Sequence, residues 1–200
     1  MDGVGSDSQP VLQVNRHRAH DDRLLDLIGA IEGQPYDGPM WRVVRRGRDV
    51  LDGSRGSGRW NTSDMSVLYG AAQPDGALAE IEFHLSRGQS VFPSRMRHDL
   101  FELAITARQT LVLADMDELR QLGVEDSRYR ELLYTRTQEI GAAAAFLGFD
   151  GLIAPSARWQ CQNIVLFLDA TNLEDIRTIA TQPVDWAAWR QANSRNSDLR

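Results

Sequence analysis

Strand-like and helix-like stretches alternate along this chain without a strict strand–helix–strand repeat, and that pattern constrains the fold more than any other feature. It argues for an α+β domain over a doubly wound parallel sheet. With 200 residues, 42% of them hydrophobic, the chain is long enough for one domain with a sizeable core. It has no internal repeat and neither a Gly-x-Gly-x-x-Gly nor a Walker phosphate loop.

Asp21 is placed to cap a helix in which Leu24, Leu25, Ile28 and Ile31 recur at helical spacing, and Gly33 with Pro35 ends it. Residues 40–44 are predicted as a short strand that delivers Arg42 into a long loop containing Gly47, Gly53, Gly56 and Gly58. A second strand is predicted at 66–71. Pro74 and Asp75 then open a helix through Leu85, with Glu80 and His84 on one face. Further strands are predicted at 101–106, 110–114, 151–154 and 164–168, with a long helix over 129–147 closed by Gly148. The polar ends, 1–19 and 191–200, are predicted as flexible flanks of a domain over 20–190. The segment VDWAAW is given a packing role.

The net charge of −6 argues against a general nucleic-acid binder, whose affinity comes mostly from neutralising phosphates. The start, MDGVGSDSQP, lacks the basic and apolar regions of a signal peptide, and the apolar stretch at 142–149 is far shorter than the roughly 20 residues a membrane helix needs. A cytoplasmic chain without a membrane span is expected. The single Cys161 reads as a packed thiol. His17, His20, His84 and His98 lack metal-ligand spacing, so no metal is expected. A triad from Ser156, His84 or His98, and Asp115 has no nucleophile elbow to support it.

Arg42, Arg45, Arg46, Arg48, Arg55 and Arg59 gather with only Asp49 and Asp52 between them, as a local anion site or as a solvated basic loop. In the segment GSGRWN, glycines permit close backbone approach, Arg59 can grip phosphate, and Trp60 either stacks on a flat ring or is buried in the turn. Tyr69, at a strand end, is either core or a stacking surface. Glu80 stands in ALAEIEFHL, where a fixed carboxylate could stabilise the oxocarbenium-like state of N-glycosidic cleavage. Glu82 is about 200° away around the helix and is expected to be exposed on its far side. Ser156 can face a ligand or cap a turn, and Asn163 can position a substrate or satisfy backbone.

The order MWRV, GRWN, VLY, DGALAEI, GFDGLIAPSAR, NIVLF, over residues 40–168, resembles the RES-domain family, named for an arginine, a glutamate and a serine. The resemblance implies a fold related to ADP-ribosyltransferase toxins, a single compact domain with a mixed sheet flanked by helices, with NAD⁺ as substrate and no separate cofactor, and an Xre-type antitoxin as partner. It places Arg42 and Arg59 on the diphosphate or ribose side, Tyr69 at the nicotinamide end, Glu80 as catalytic carboxylate and Ser156 as polar support on the opposite wall. Trp60 and Asn163 are expected in the same NAD⁺ site. Val43 departs from the tyrosine that often follows the first arginine in such proteins. The expected function is a toxin that cleaves NAD⁺ by hydrolysis or phosphorolysis. A protein ADP-ribosyltransferase and a non-catalytic nucleotide-binding regulatory module are the alternatives, and the oligomeric state, with a homodimer among the options, stays open.

Overall fold

Asp21 begins the first helix by turning its carboxylate onto the backbone N–H of Arg23, 3.1 Å away, and α1 then runs Asp22–Gly29 with Leu24 and Ile28 buried. The computed structural model describes residues 20–54, 56–87 and 96–193. The end segments expected to be flexible, 1–19 and the last part of 191–200, lie outside them, as does Arg55.

After α1 the chain forms β1 (Gln34–Arg45), β2 (Val67–Ala71), α2 (Pro74–Arg87), β3 (His98–Val112), α3 (Met116–Gln121), α4 (Asp126–Tyr129) and α5 (Thr135–Phe146). It continues through β4 (Gly151–Pro155), β5 (Gln162–Phe167), a 3₁₀ turn at Leu173–Asp175, β6 (Ile176–Pro183) and α6 (Trp186–Asn193). The six strands are ordered β1-β2-β5-β4-β3-β6, and β1 also pairs along β3. The sheet therefore folds back on itself. All its pairings are antiparallel except β3 with β4, so the sheet is mixed, as expected for an α+β domain.

Core side chains fill both faces of this sheet. Met40, Leu68, Leu103, Ile153 and Ile164 meet in one cluster, while α1 and α5 bury Leu24, Ile28 and Ile140 against Leu111, Leu152 and Val165. A third cluster packs α2 and α6 on the sheet through Ala77, Leu78, Val43, Leu100, Trp186 and Trp189. The packing role of VDWAAW is visible here. Trp186 Nε1 donates to His98 Nδ1 at 3.2 Å, and Trp189 Nε1 donates to Asp75 Oδ1 at 2.8 Å.

Three expectations need correction. The strand foreseen at 40–44 runs from Gln34 to Arg45, because β1 pairs with β3 over nearly its full length. The strands foreseen at 101–106 and 110–114 are one, β3; across the polar stretch between them, Asp150 accepts the N–H groups of Arg108 and Gln109 at 2.5 and 2.9 Å. The helix foreseen over 129–147 is broken at 130–134, where the carbonyls of Tyr129 and Glu131 face Arg59. Gly148, with φ of +88°, does follow the end of α5.

Gly141 is where α5 meets the loop that carries Trp60. A Cβ at this position would overlap the Trp60 carbonyl oxygen. Gly141→Ala must therefore push helix and loop apart, and overpacking of this kind costs about 1–3 kcal/mol. Thermal unfolding should show a Tm lowered by several degrees; an unchanged Tm would mean that the close approach is not constrained.

Candidate functional site

Arg42 projects from β1 toward the middle of β2. Its Nη1 donates to the Tyr69 carbonyl at 2.7 Å and its Nη2 to the Asp52 carbonyl at 2.8 Å, while Nε is buried with no partner among the described residues. Burial lowers its pKa to about 10, opposed by Asp52, so it remains cationic at neutral pH.

The GSGRWN loop is held from within by Asn61, which is fully buried. Its Nδ2 donates to the carbonyls of Gly56, Thr62 and Met65 at 2.9, 2.9 and 3.2 Å, and its Oδ1 accepts from the Tyr69 hydroxyl at 2.9 Å. That hydroxyl in turn accepts the Trp60 N–H at 2.9 Å. Burial raises the Tyr69 pKa well above its ordinary value, so the phenol stays protonated. From α5, Gln138 Nε2 donates to Ser57 Oγ at 2.7 Å and to the Gly58 carbonyl at 2.8 Å.

Arg59 and Trp60 occupy different surroundings from those the sequence suggested. The Arg59 guanidinium donates to the Tyr129 and Glu131 carbonyls and sits 4.7 Å from the ring centroids of both Tyr129 and Tyr134. It is a cation fixed in the wall and not a free fork. Trp60 is 0% exposed and packs edge-on to Tyr129 at 6.2 Å. Its rings have no open face for a ligand, so the stacking role gives way to the alternative of a buried turn tryptophan.

On α2, Glu80 Oε1 lies 3.5 Å from His84 Nε2, and Glu80 Oε2 is buried without a hydrogen-bond partner among the described residues. Glu82 points elsewhere, as helical geometry requires, but it is not simply exposed. Its side chain is 18% exposed and receives Arg190 Nε and Nη2 from α6 at 2.8 and 2.9 Å. Ser156 Oγ accepts the N–H groups of Arg158 and Trp159 at 3.1 and 3.3 Å, which is the turn-capping alternative. Asn163, buried on β5, stands between Ala71 and Ala154 in register.

A cavity of about 340 Å³ collects Arg42, Arg59, Trp60, Tyr69, Glu80 and Asn163, but its lining does not include Ser156. Beside it a recess of about 260 Å³ shares Arg42, Val43 and Ser54 and continues to Arg45 and Arg48. Sequence reasoning did not identify Tyr134 or His84 as part of the lining, nor Asn61 as the brace of the loop. His84 had a usable signal in its spacing from Glu80, whereas Tyr134 falls where the sequence reads as mid-helix. A carboxylate on α2 and fixed cations on the other walls suit a substrate with positive charge near Glu80 and negative charge near Arg42.

The model of the RES domain family matches residues 39–187. A protein of Mycobacterium tuberculosis described as a probable NAD(+) phosphorylase is 32% identical over 167 residues, 80% of each chain. A Pseudomonas putida protein named Toxin Res is 40% identical over 71 residues, 35% of this chain and 49% of that one. Among solved structures, the crystal structure of the M. tuberculosis MbcT-MbcA toxin-antitoxin complex contains a chain that superimposes with a TM-score of 0.77 at 20% identity, covering 88% of this chain and 100% of that one. Among the described residues no helix is long and apolar enough to cross a membrane, and no group of three or more His, Cys, Asp or Glu is placed to hold a metal ion.

Arg42→Lys tests the tie between β1, β2 and the loop. Lysine keeps the charge but cannot reach two carbonyls with a planar fork. Hydrogen exchange should accelerate in residues 52–54 and at the β1–β2 contact, with stability lowered by about 1–3 kcal/mol; unaltered exchange there would show that the fork is dispensable.

Proposed function

This chain belongs to the RES domain family, and on that premise we propose that it cleaves NAD⁺ at the bond between nicotinamide and ribose, as the toxin of a toxin–antitoxin pair. The observation that carries this reading is Glu80 Oε2, a buried carboxylate oxygen without a hydrogen-bond partner among the described residues, at a cavity that Arg42 and Arg59 also line. NAD⁺ has the matching charges: a pyridinium ring at one end and a diphosphate in the middle. It is consumed as substrate and serves no cofactor role.

The nicotinamide riboside end occupies the cavity beside Glu80 and Tyr69. The diphosphate passes Arg42, and the adenosine end extends into the recess toward Arg45 and Arg48. As the glycosidic bond breaks, its electron pair goes to the pyridinium nitrogen and nicotinamide leaves neutral. Positive charge develops on the ribose, where the Glu80 carboxylate stabilises it. An oxygen nucleophile, water or phosphate, then completes the reaction. Arg42 and Arg59 contribute fixed charge, and Asn163 lines the same cavity from β5; Ser156 acts through its turn. The description of the M. tuberculosis relative as a probable NAD(+) phosphorylase supports the substrate assignment. The partner is an Xre-type antitoxin that covers the cleft; the toxin-antitoxin complex with the same fold supports this reading.

Glu80→Gln preserves shape and removes the charge, so nicotinamide release should fall about 10²- to 10³-fold in a folded variant. Glu82→Gln should retain turnover within a few-fold while lowering Tm, because Arg190 loses its ionic partner. A dead Glu82→Gln beside an active Glu80→Gln would sink the assignment.

A further inference from the structure

The Glu80 side of α2 also carries a second, unexplained cation. Arg158, on the turn between β4 and β5, lays its guanidinium over the Phe83 ring with 3.4 Å between guanidinium carbon and ring centroid. Its Nε and Nη2 are buried and have no hydrogen-bond partner among the described residues. Buried guanidinium nitrogens without acceptors are costly and call for an explanation. Glu80 and Phe83 are three residues apart on a helix and so are neighbours on its surface. Arg158 does not line the cavity itself; it flanks the helix face from which Glu80 enters it.

The surrounding charge is unbalanced. Arg87 lies over the same Phe83 ring at 4.6 Å, and Arg59 lines the cavity that Glu80 enters. Burial lowers the Arg158 pKa, Glu80 opposes that shift, and Arg59 and Arg87 add to it. Among the described residues, Arg59, Arg87 and Arg158 thus lie around Glu80, with Nε and Nη2 of Arg158 unpartnered. The Ser156 hydroxyl fixes the turn by accepting the Arg158 and Trp159 N–H groups, which holds the backbone from which the Arg158 side chain springs.

Resting on the NAD⁺-cleavage reading, we propose that Arg158 holds inorganic phosphate beside Glu80 as the acceptor of the ribosyl group, with Ser156 as its positioning residue. A phosphate dianion approaching a carboxylate is repelled, and a guanidinium next to both offsets that repulsion while its fork fits two phosphate oxygens. A deprotonated phosphate oxygen forms the new bond to the anomeric carbon. The carbon–nitrogen bond breaks toward nicotinamide, and no proton transfer is required. The products are nicotinamide and ADP-ribose 1″-phosphate.

Steady-state nicotinamide release, measured against phosphate at saturating NAD⁺ and against NAD⁺ at saturating phosphate, tests this in the wild type, Arg158→Gln and Arg158→Lys. Loss of a charge-assisted contact corresponds to roughly a 10- to 100-fold rise in the apparent KM for phosphate. That rise is expected in Arg158→Gln, with the KM for NAD⁺ within about threefold of the parent and partial recovery in Arg158→Lys. Ser156→Ala should shift the phosphate KM in the same direction by less. A phosphate dependence unchanged in both arginine variants overturns the proposal. A rise in the NAD⁺ KM instead overturns it by assigning Arg158 to the substrate's own diphosphate. Wild-type release of nicotinamide that is indifferent to phosphate overturns it while leaving NAD⁺ cleavage intact, whereas no release at all defeats the cleavage reading beneath it.

Discussion

The tie made by Arg42 is the interaction on which the rest of the site depends. β1 runs against β3 over nearly its full length, yet it meets β2 in register only at Trp41 and Ala71. The guanidinium spans that weak closure by donating to the Tyr69 carbonyl in the middle of β2 and to the Asp52 carbonyl in the long loop. Hydrogen bonds from a charged group contribute about 1.5–3 kcal/mol, and a buried cation without them would be strongly unfavourable. The same fork therefore closes the sheet, anchors the loop and leaves a positive charge between cavity and recess.

From that anchor the other walls follow. The loop can lie flat only because Gly141 lets the Trp60 backbone approach α5, and Asn61 satisfies the carbonyls that a tight loop would otherwise strand. Tyr69 links strand to loop through its hydroxyl, and Arg59 interrupts what would have been one long helix by drawing the Tyr129 and Glu131 carbonyls. The break places Tyr134 in the cavity wall. Against this braced surround, Glu80 keeps an oxygen with no hydrogen-bond partner among the described residues while Glu82, two residues on, is bound by Arg190. Two carboxylates two residues apart thus stand in opposite surroundings, one lining the cavity and one clamping α6.

How far this was legible in the sequence depended on whether a signal was local. The capping Asp21, the opening Pro74 and Asp75, and the closing Gly148 mark their helices because turn chemistry is written in a few neighbouring residues. The division of Glu80 from Glu82 follows from helical geometry alone. β6 was not foreseen, because only its first residue is buried and no period-two pattern remains to read. The joining of two predicted strands into β3 required Asp150, distant in sequence, to receive the intervening N–H groups. Trp60 and Ser156 each carried two readings, and tertiary packing chose burial for the one and turn capping for the other. Arg158 gave no signal until Phe83 and Glu80 were placed beside it in space.

Whether this cavity breaks the nicotinamide–ribose bond can be read directly by proton NMR of purified chain incubated with NAD⁺ in phosphate buffer. The resonances of bound-form nicotinamide riboside in NAD⁺ should decay while those of free nicotinamide and an anomerically substituted ADP-ribose grow in equal amounts. An NAD⁺ spectrum unchanged over hours, with folded protein at micromolar concentration, would contradict the assignment of Glu80 and its cavity to this reaction.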